Sequence, residues 1–257
     1  MAIGSRRRTA GFTLPLTMAL AFSLMAMATA IVGMVLVSDK QAKAAASEAV
    51  TRATLESAVE AALFDLEENG EPQALEWTGP QATLNGQAVT LVVADARFKP
   101  DINSSPPDTA AAALAEPGLK DRALAALAPP APDAARAPYT RFVEFTQALA
   151  ASPAEEDCLR RRLTIGRNGP TAPAPPVATF EPPRQPLAVG AVVDVRAQMR
   201  DWEGRFNVLW RRARYTGQPA RPWLTHDWRL IRLGRSEPDC PLVEAAPTLS
   251  NELHAAP

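Results

Sequence analysis

Few side chains in this sequence could do chemistry of their own. The 257 residues contain two histidines, His226 and His254, and two cysteines, Cys158 and Cys240. Two histidines are too few for most acid–base or zinc-binding constellations. The sequence also has no nucleophile elbow, no HExxH motif and no glycine-rich phosphate-binding loop. We therefore expect that the protein is not an enzyme.

The two cysteines are too far apart in the sequence for a CxxC redox motif. If the part of the chain that carries them is exported to an oxidising compartment, they can pair. A Cys158–Cys240 disulfide would close a long loop and contribute about 4 kcal/mol in the loop-closure model. We expect this disulfide; the alternative is two buried free thiols.

The charge balance excludes some classes of partner. Lys and Arg together number 27 and Asp and Glu 28, so the formal net charge is −1. A chain without a global field has no electrostatic reason to bind nucleic acid or to adhere broadly to membrane surfaces. We interpret the arginine runs at residues 160–162 and 211–212 as solvated faces or as partners of nearby carboxylates.

A hydrophobic segment near the N-terminus sets the topology. Residues 12–37 contain no charged side chain, and about 20 apolar residues are enough for a helix to cross a bilayer. Three arginines at positions 6–8 precede the segment, whereas one Asp and two Lys at positions 39–43 follow it. This distribution favours a single-pass protein with a cytoplasmic N-terminus and an exported C-terminal part.

Two other interpretations of this segment are a cleaved secretory signal and a twin-arginine address. A secretory signal would be cut after residues 28–30, Ala-Thr-Ala. Residues 31–37 are still apolar, which fits a retained helix better. The twin-arginine alternative depends on Arg6 and Arg7 alone.

The membrane helix is predicted to continue beyond the bilayer. Residues 38–68 contain no Gly or Pro and are rich in strong helix formers. Apolar residues at helical spacing form one stripe: Leu55, Val59, Ala62, Leu63 and Leu66. Gly70 and Pro72 then supply a helix stop. We predict one continuous helix, with residues 12–37 in lipid and residues 38–68 outside it.

A sheet is predicted to follow the helix. Residues 74–99 contain the clearest strand, at 88–95, which comes directly after the hairpin signal Asn85-Gly86. Residues 191–235 alternate polar and apolar side chains and would complete the same sheet with three strands, at 191–199, 205–215 and 223–233. The tail, residues 236–257, has the composition of a loop.

Residues 100–190 separate the two parts of this sheet. They are rich in Pro and Ala and contain three helix-like pieces, at 108–115, 120–127 and 139–150. We interpret them as an inserted α-helical and Pro-rich subdomain. The predicted fold class is therefore α+β, with a long N-terminal transmembrane helix packed on an antiparallel sheet.

The residues before the hydrophobic segment resemble a type IV prepilin leader. Such leaders have a short basic stretch that ends in Gly, then Phe or Met, and then a hydrophobic segment that the mature protein keeps. Here residues 1–11 would be the leader, and the sequence from Gly11 onward is Gly-Phe-Thr-Leu-Pro. The resemblance implies cleavage after Gly11 by a prepilin peptidase and methylation of the new N-terminal residue, Phe12.

The residue at position 16 indicates which group of prepilin-like proteins the sequence resembles. Most prepilin-like proteins have Glu as the fifth mature residue, which here is Leu16. Among the pseudopilins of the type II secretion system, the large minor subunit K (general secretion pathway protein K) usually lacks this Glu, and its leader often reads Gly-Phe-x-Leu-Pro. In filament subunits the Glu neutralises a neighbour's N-terminal amine inside the bilayer, where an unpaired charge is costly. Leu16 would then mark a subunit at the tip, with no neighbour ahead of it.

The start of the insert also resembles the K family. In that family a strand is followed by a Lys-Ile-Asp-Leu-Asn-like motif that leads into a helical insert. Here Asp101, Ile102 and Asn103 follow the strand, and an added Pro100 displaces Lys99 from its place in the motif. Asp and Asn oxygens suit this position because they can accept hydrogen bonds from turn N–H groups.

The resemblance implies a pilin-like fold and a structural function in secretion. A K-type minor pseudopilin lies at the tip of the periplasmic pseudopilus with the minor subunits I and J. It helps to initiate the filament on the inner-membrane assembly platform and so supports protein export across the outer membrane. The expected location is the bacterial inner membrane, with the C-terminal domain in the periplasm.

The resemblance to the K family implies that calcium is a possible ligand, because some K-family inserts bind it through carboxylates. The insert has oxygen donors of the right kind: Asp101, Asn103, Asp108, Glu155, Glu156 and Asp157. They have no EF-hand spacing, so no ligand set is assigned, and helix caps or solvated loop residues are the alternative. No other cofactor is expected.

Two further functions remain open from the sequence. A single-pass anchored periplasmic binding domain with no role in polymerisation would share the membrane segment, but Gly11 would be dispensable. A minor pilin of a type IV pilus or competence system would share the leader, but it would not predict a helical insert after Asn103.

Overall fold

The computed structural model describes residues 13–79, 81–84, 86–129, 138–166, 172, 183–235 and 240. The chain divides into two compact units, Met1–Val50 and Thr51–Pro257. In chain order the helices and strands are α1 (Thr13–Asn69), β1 (Glu71–Pro72), β2 (Trp77–Thr78), β3 (Ala82–Leu84), β4 (Gln87–Asp95), α2 (Pro107–Ala112), α3 (Pro117–Leu127), α4 (Phe142–Ala148), α5 (Pro153–Arg162), β5 (Arg184–Gln185), β6 (Val192–Arg200), β7 (Phe206–Tyr215) and β8 (Trp223–Arg232).

The first unit consists of the N-terminal part of α1. Its large apolar side chains between Met18 and Val37 are exposed, and an 18-residue window of the helix has a mean hydropathy of 2.3. The Thr29 hydroxyl donates to the Met25 carbonyl at 3.0 Å, which satisfies a polar group that lipid could not. By length and composition, this helix is sufficient for a single membrane span.

The last turns of α1 belong to the second unit and pack on the sheet. The five residues of the predicted stripe are all buried, with at most 7 % exposure. They contact apolar side chains of β4, β6 and β7: Val89, Val93, Val193, Val195, Ala197, Met199, Leu209 and Ala213. Burying a Leu or Val side chain contributes about 1.5–3 kcal/mol. This apolar contact fixes the last turns of α1 on one face of the sheet.

Gly70 ends α1, as the sequence predicts. Its N–H donates to the Leu66 carbonyl at 2.9 Å, and its φ of +83° lies in the left-handed region that Gly adopts without strain. A Cβ at this position would collide with the carbonyl oxygen of Gln185. The stop therefore requires Gly for two reasons, the backbone conformation and the close approach of β5.

The main sheet is antiparallel and six-stranded, with the order β2-β4-β6-β7-β8 and with β3 paired to β4. Val93 lies opposite Val195 and Ala197 lies opposite Leu209. The prediction that three C-terminal strands complete a sheet begun at 88–95 is thus confirmed. In the predicted hairpin, Leu84 pairs with Gln87, and Asn85 lies outside the described residues.

The helical insert has a hydrophobic core of its own. Ile102, Leu119, Phe142, Phe145 and Leu159 are among its buried residues. The Phe142 and Phe145 rings meet edge to face, with their centroids 6.0 Å apart. These residues come from the start of the insert and from three of its helices. The helices of the insert therefore pack against one another.

The structure adds elements that the sequence interpretation omitted. A further helix, α5, follows α4, and α4 covers only Phe142–Ala148 within the predicted helix at 139–150. The short strands β1 and β5 form a separate pair in which Glu71 lies opposite Gln185. This pair joins the end of α1 to the chain that returns from the insert.

Candidate functional site

The face of the sheet opposite α1 carries charged side chains that are buried. In β6, Val193 and Val195 face α1, so the alternating residues Asp194 and Arg196 point to the other side. Their exposures are only 2 % and 4 %. The insert supplies Asp157 as the partner of Arg196, whereas Asp194 binds Lys99 and Arg212. We call the following residues the charged layer: Lys99, Glu156, Asp157, Arg160, Asp194, Arg196, Arg212, Asp227 and Arg229.

Asp157 joins α5 to two strands. Its Oδ1 accepts hydrogen bonds from Arg196 Nε at 2.9 Å and from Trp210 Nε1 at 2.6 Å, and its Oδ2 accepts from Arg196 Nη2 at 2.7 Å. The paired contacts between a guanidinium and a carboxylate are among the strongest and most directional hydrogen bonds in proteins. They therefore fix the register of α5 against β6 and β7.

Lys99 is fully buried between the sheet and the insert. Its Nζ donates to Asp194 Oδ2 at 2.8 Å and to the Arg160 carbonyl at 3.0 Å. Arg212 donates to the same carboxylate through Nε, at 2.7 Å, and Nη2, at 2.9 Å. One carboxylate thus holds two cations from different parts of the chain.

The pKa values in this group show which effect wins at each residue. Burial alone would raise the pKa of Asp194, but the charges and hydrogen bonds of Arg212 and Lys99 outweigh it and lower the pKa to about 2. For Lys99 burial prevails: it lowers the pKa of the ammonium group, although Asp194 and Glu76 act in the opposite direction. Asp194 thus favours the charged form of Lys99, which burial disfavours.

The rim of the charged layer binds α5 to the edge strand β8. Arg160 donates to Asp227 Oδ2 at 2.5 Å and to Glu156 Oε1 at 3.1 Å. Arg229 donates to Glu156 Oε1 from the other side at 3.1 Å. Because Arg229 is nearly half exposed, its bond contributes less than the buried ones.

The motif that opens the insert forms a turn. Asp101 Oδ1 accepts hydrogen bonds from the N–H groups of Asn103, at 2.8 Å, and Ser104, at 3.1 Å. The Asn103 side chain exchanges two hydrogen bonds with the backbone of Tyr139, and Ile102 is buried in the core of the insert. These three residues thus connect the start of the insert to the segment before α4.

The other predicted site residues lie in different places. Gly11 and Phe12 are outside the described residues, and Leu16 lies in the first turn of α1. Cys158 on α5 and Cys240 form a disulfide, with their Cα atoms 5.5 Å apart. The disulfide ties the C-terminal segment to the insert.

The proposed calcium donors do not come together around one point. Within the described ranges, no group of three or more His, Cys, Asp or Glu side chains could hold a metal ion. Glu155 receives hydrogen bonds from Arg122 and the Ser152 N–H, and Asp157 is bound by Arg196 and Trp210. Cations and N–H groups of the protein itself therefore occupy the carboxylate oxygens of Glu155 and Asp157.

The charged layer itself was not predicted from the sequence. The interpretation of the arginine run as partners of nearby carboxylates is correct for Arg160 and Arg161. Arg160 binds Glu156 and Asp227, and Arg161 donates to both carboxylate oxygens of Glu76. The sequence pattern that accompanies it is the alternation of Asp194 and Arg196 with apolar residues in β6, and this pattern alone does not show that the charged face is covered.

Taken together, these contacts position the insert on the sheet and leave the sheet covered by helices on both faces.

Comparisons with protein-family models, with curated proteins and with solved structures gave no match.

Proposed function

We propose that this protein is a minor pseudopilin of a type II secretion system, of the K type, which acts at the tip of the periplasmic pseudopilus. The observation that carries the proposal is the organisation of α1. Its N-terminal part is exposed and apolar, whereas the stripe in its last turns is buried on an antiparallel sheet. A prepilin-like leader precedes this helix in the sequence.

The insert supports the choice of the K type. It starts at Asp101, Ile102 and Asn103, where the resemblance places it, and it covers the face of the sheet that α1 leaves free. Bulk on this face is easier to accommodate at the end of a filament than within its shaft. The proposed partners are the minor subunits I and J and the inner-membrane assembly platform.

The proposed location is the bacterial inner membrane, with the N-terminus in the cytoplasm and the unit that starts at Thr51 in the periplasm. Two observations support this orientation. Arginines precede the apolar helix, and the Cys158–Cys240 disulfide suits an oxidising compartment.

The N-terminus of the mature protein tests the proposal. We expect mass spectrometry of the membrane-extracted protein to show a chain that starts at N-methylated Phe12, and a Gly11→Ala variant to keep residues 1–11. Gly4→Ala is the matched control, because it changes a leader glycine away from the cleavage site, and it should be processed normally.

A chain that starts at Ile31, or that keeps Met1 whatever residue stands at position 11, would contradict the proposal. An anchored periplasmic binding domain would then be the better account. If processing is as expected, crosslinking with subunits I and J would separate a K-type pseudopilin from a minor pilin of another system.

A further inference from the structure

A small cavity lies between the insert and the sheet, next to the charged layer. Its volume is about 130 Å³. The insert contributes the residues before and at the start of α4 and those that follow α5, and the sheet contributes β6, β7 and β8. Its titratable lining residues are Tyr139, Arg141, Arg212, Arg214, His226 and Asp227.

A β-bulge in β8 brings two consecutive residues to this cavity. Arg212 lies opposite Asp227 and Ala213 lies opposite Thr225, so His226 between them has no cross-strand partner. In a regular strand, neighbouring side chains point to opposite faces. Here both His226 and Asp227 line the cavity, because a bulge redirects a side chain locally.

The cavity has an excess of positive charge. Three arginines line it, against one carboxylate, Asp227, which Arg160 already binds at 2.5 Å. Arg212 is held by Asp194 and by the Ile165 carbonyl. The half-buried Arg214 has no side-chain hydrogen bond or ion pair within the part of the chain that the structure describes. A partly desolvated guanidinium favours an oxyanion, which can accept two parallel hydrogen bonds.

His226 reports the same positive field. Partial burial lowers the pKa of its imidazole, and the charges of Arg214 and Arg212 lower it further. The side chain is also solvent-exposed, so it lies on the open side of the cavity. An anion bound there would reverse the effect of the two arginines and raise this pKa.

We propose that the cavity binds one small oxyanion, a carboxylate or a phosphate group, through the guanidinium of Arg214. Arg212 adds positive charge behind it, and His226 lies at its solvent side. A water molecule takes up roughly 30 Å³ of liquid volume, so a cavity of about 130 Å³ has room for a single group of this size. The site is independent of the proposed role in secretion.

NMR of the two histidines can measure this binding in the full chain. The protein, labelled with ¹³C at histidine and held in detergent micelles, is titrated with inorganic phosphate and separately with acetate, at constant ionic strength set by chloride. A His254→Gln variant assigns the His226 signal. We expect a saturable shift of that signal and a raised pKa of His226, and the anion that saturates at lower concentration identifies the preferred group.

Two arginine variants decide whether the site is specific. Arg214→Gln should weaken binding at least about tenfold, as expected for the loss of a charged hydrogen-bond donor. Arg221→Gln removes the same charge from an exposed loop and should leave binding unchanged. Arg214→Lys keeps the charge but not the two parallel hydrogen-bond donors, so it should give intermediate affinity. It replaces Arg214→Gln in the comparison if that variant does not fold.

The pH dependence gives an independent check. Protonation of His226 adds positive charge to the site, so affinity should rise as pH falls through the pKa of His226. The charged and titratable groups facing it are Arg212 and Arg214 of β7, Asp227 of β8, and Tyr139 and Arg141 of the insert. Sulfate keeps a constant charge over this range and is the suitable probe, and His226→Gln should remove the dependence.

The proposal is overturned if neither phosphate nor acetate gives a saturable shift of the His226 signal. It is also overturned if Arg221→Gln weakens binding as much as Arg214→Gln, because the anion would then sense only the overall charge of the protein.

Discussion

At the scale of single residues, Asp194 connects two cations of the charged layer. Its carboxylate is the shared partner of Lys99 and Arg212. Removing one member of a buried ion group leaves the others uncompensated, which typically costs about 3–5 kcal/mol. The pKa directions agree with this. The lowered pKa of Asp194 shows that its two cations stabilise the charged carboxylate. The lowered pKa of Lys99 shows that burial disfavours the charged ammonium group.

We therefore expect Asp194→Asn to lower the free energy of unfolding by about 3 kcal/mol or more at neutral pH. Urea denaturation of the detergent-solubilised chain, followed by tryptophan fluorescence, measures the change. Glu203→Gln removes a carboxylate from a partly exposed ion pair with Arg205 and is the control, with an expected change below about 1 kcal/mol. Similar losses in the two variants would contradict the central position of Asp194.

The same residue predicts a pH dependence. Its pKa in the folded protein is about 2, below the ordinary value of 3.8, so its contribution is fully present above that ordinary value. As pH falls through the folded pKa, the contribution disappears. The difference in unfolding free energy between wild type and Asp194→Asn should accordingly shrink between about pH 4 and pH 2. Parallel stability curves over this range would show that Asp194 is not the group responsible.

Leu16 makes a prediction about assembly. If Glu at the fifth mature position allows a subunit to pair with the neighbour ahead of it, Leu16→Glu should let this protein enter filament shafts. Immunogold labelling of sheared pseudopili should then show the variant along the shaft and the wild type at one end. Leu14→Glu places the same charge two residues earlier and should not have this effect. Identical labelling of wild type and Leu16→Glu would mean that the residue does not determine position.

At the scale of elements, the last turns of α1 show what sequence periodicity can predict. Leu63 and Phe64 are neighbours on this helix, yet Leu63 is 1 % exposed and Phe64 is 64 % exposed. Leu63→Ala should destabilise the second unit by about 2–5 kcal/mol because it leaves a cavity against the sheet. Phe64→Ala should change stability by less than about 0.5 kcal/mol. Urea denaturation of the two variants compares them directly. Equal losses of stability would contradict the assignment of Leu63 to the buried face of the helix and of Phe64 to its exposed face.

Other elements were predictable in part. Helix α5 has a capping box, in which Ser152 accepts from the Glu155 N–H and Glu155 accepts from the Ser152 N–H. Its sequence pattern, Ser-Pro-Ala-Glu, is a known helix start, so this helix could have been found. The charged layer could not, because alternation of polar and apolar residues in β6 is equally typical of a strand with one face in water. Only the tertiary packing of α5 shows that this face is covered.

At the scale of the whole second unit, the two faces of the sheet are covered in different ways. Apolar contacts with α1 are non-directional and depend on area, so they fix the helix without strongly selecting one register. The charged layer is directional, and contacts such as Asp157 with Arg196 allow few positions of the insert. An insert held in this manner keeps a defined orientation on the sheet, as the proposed role at a filament tip requires.

The disulfide adds a covalent connection between α5 and Cys240, and its contribution to stability can be tested. Cys158 and Cys240 are 82 residues apart in the sequence, and closing so long a loop typically contributes about 2–4 kcal/mol. The double variant Cys158→Ser/Cys240→Ser should lose this amount but still fold, because the contacts of Asp157 hold α5 on the sheet without it. Urea denaturation with and without reductant measures the loss. Reductant should lower the stability of the wild type to that of the variant and should leave the variant unchanged; a wild type insensitive to reductant would show that the bond contributes nothing to stability.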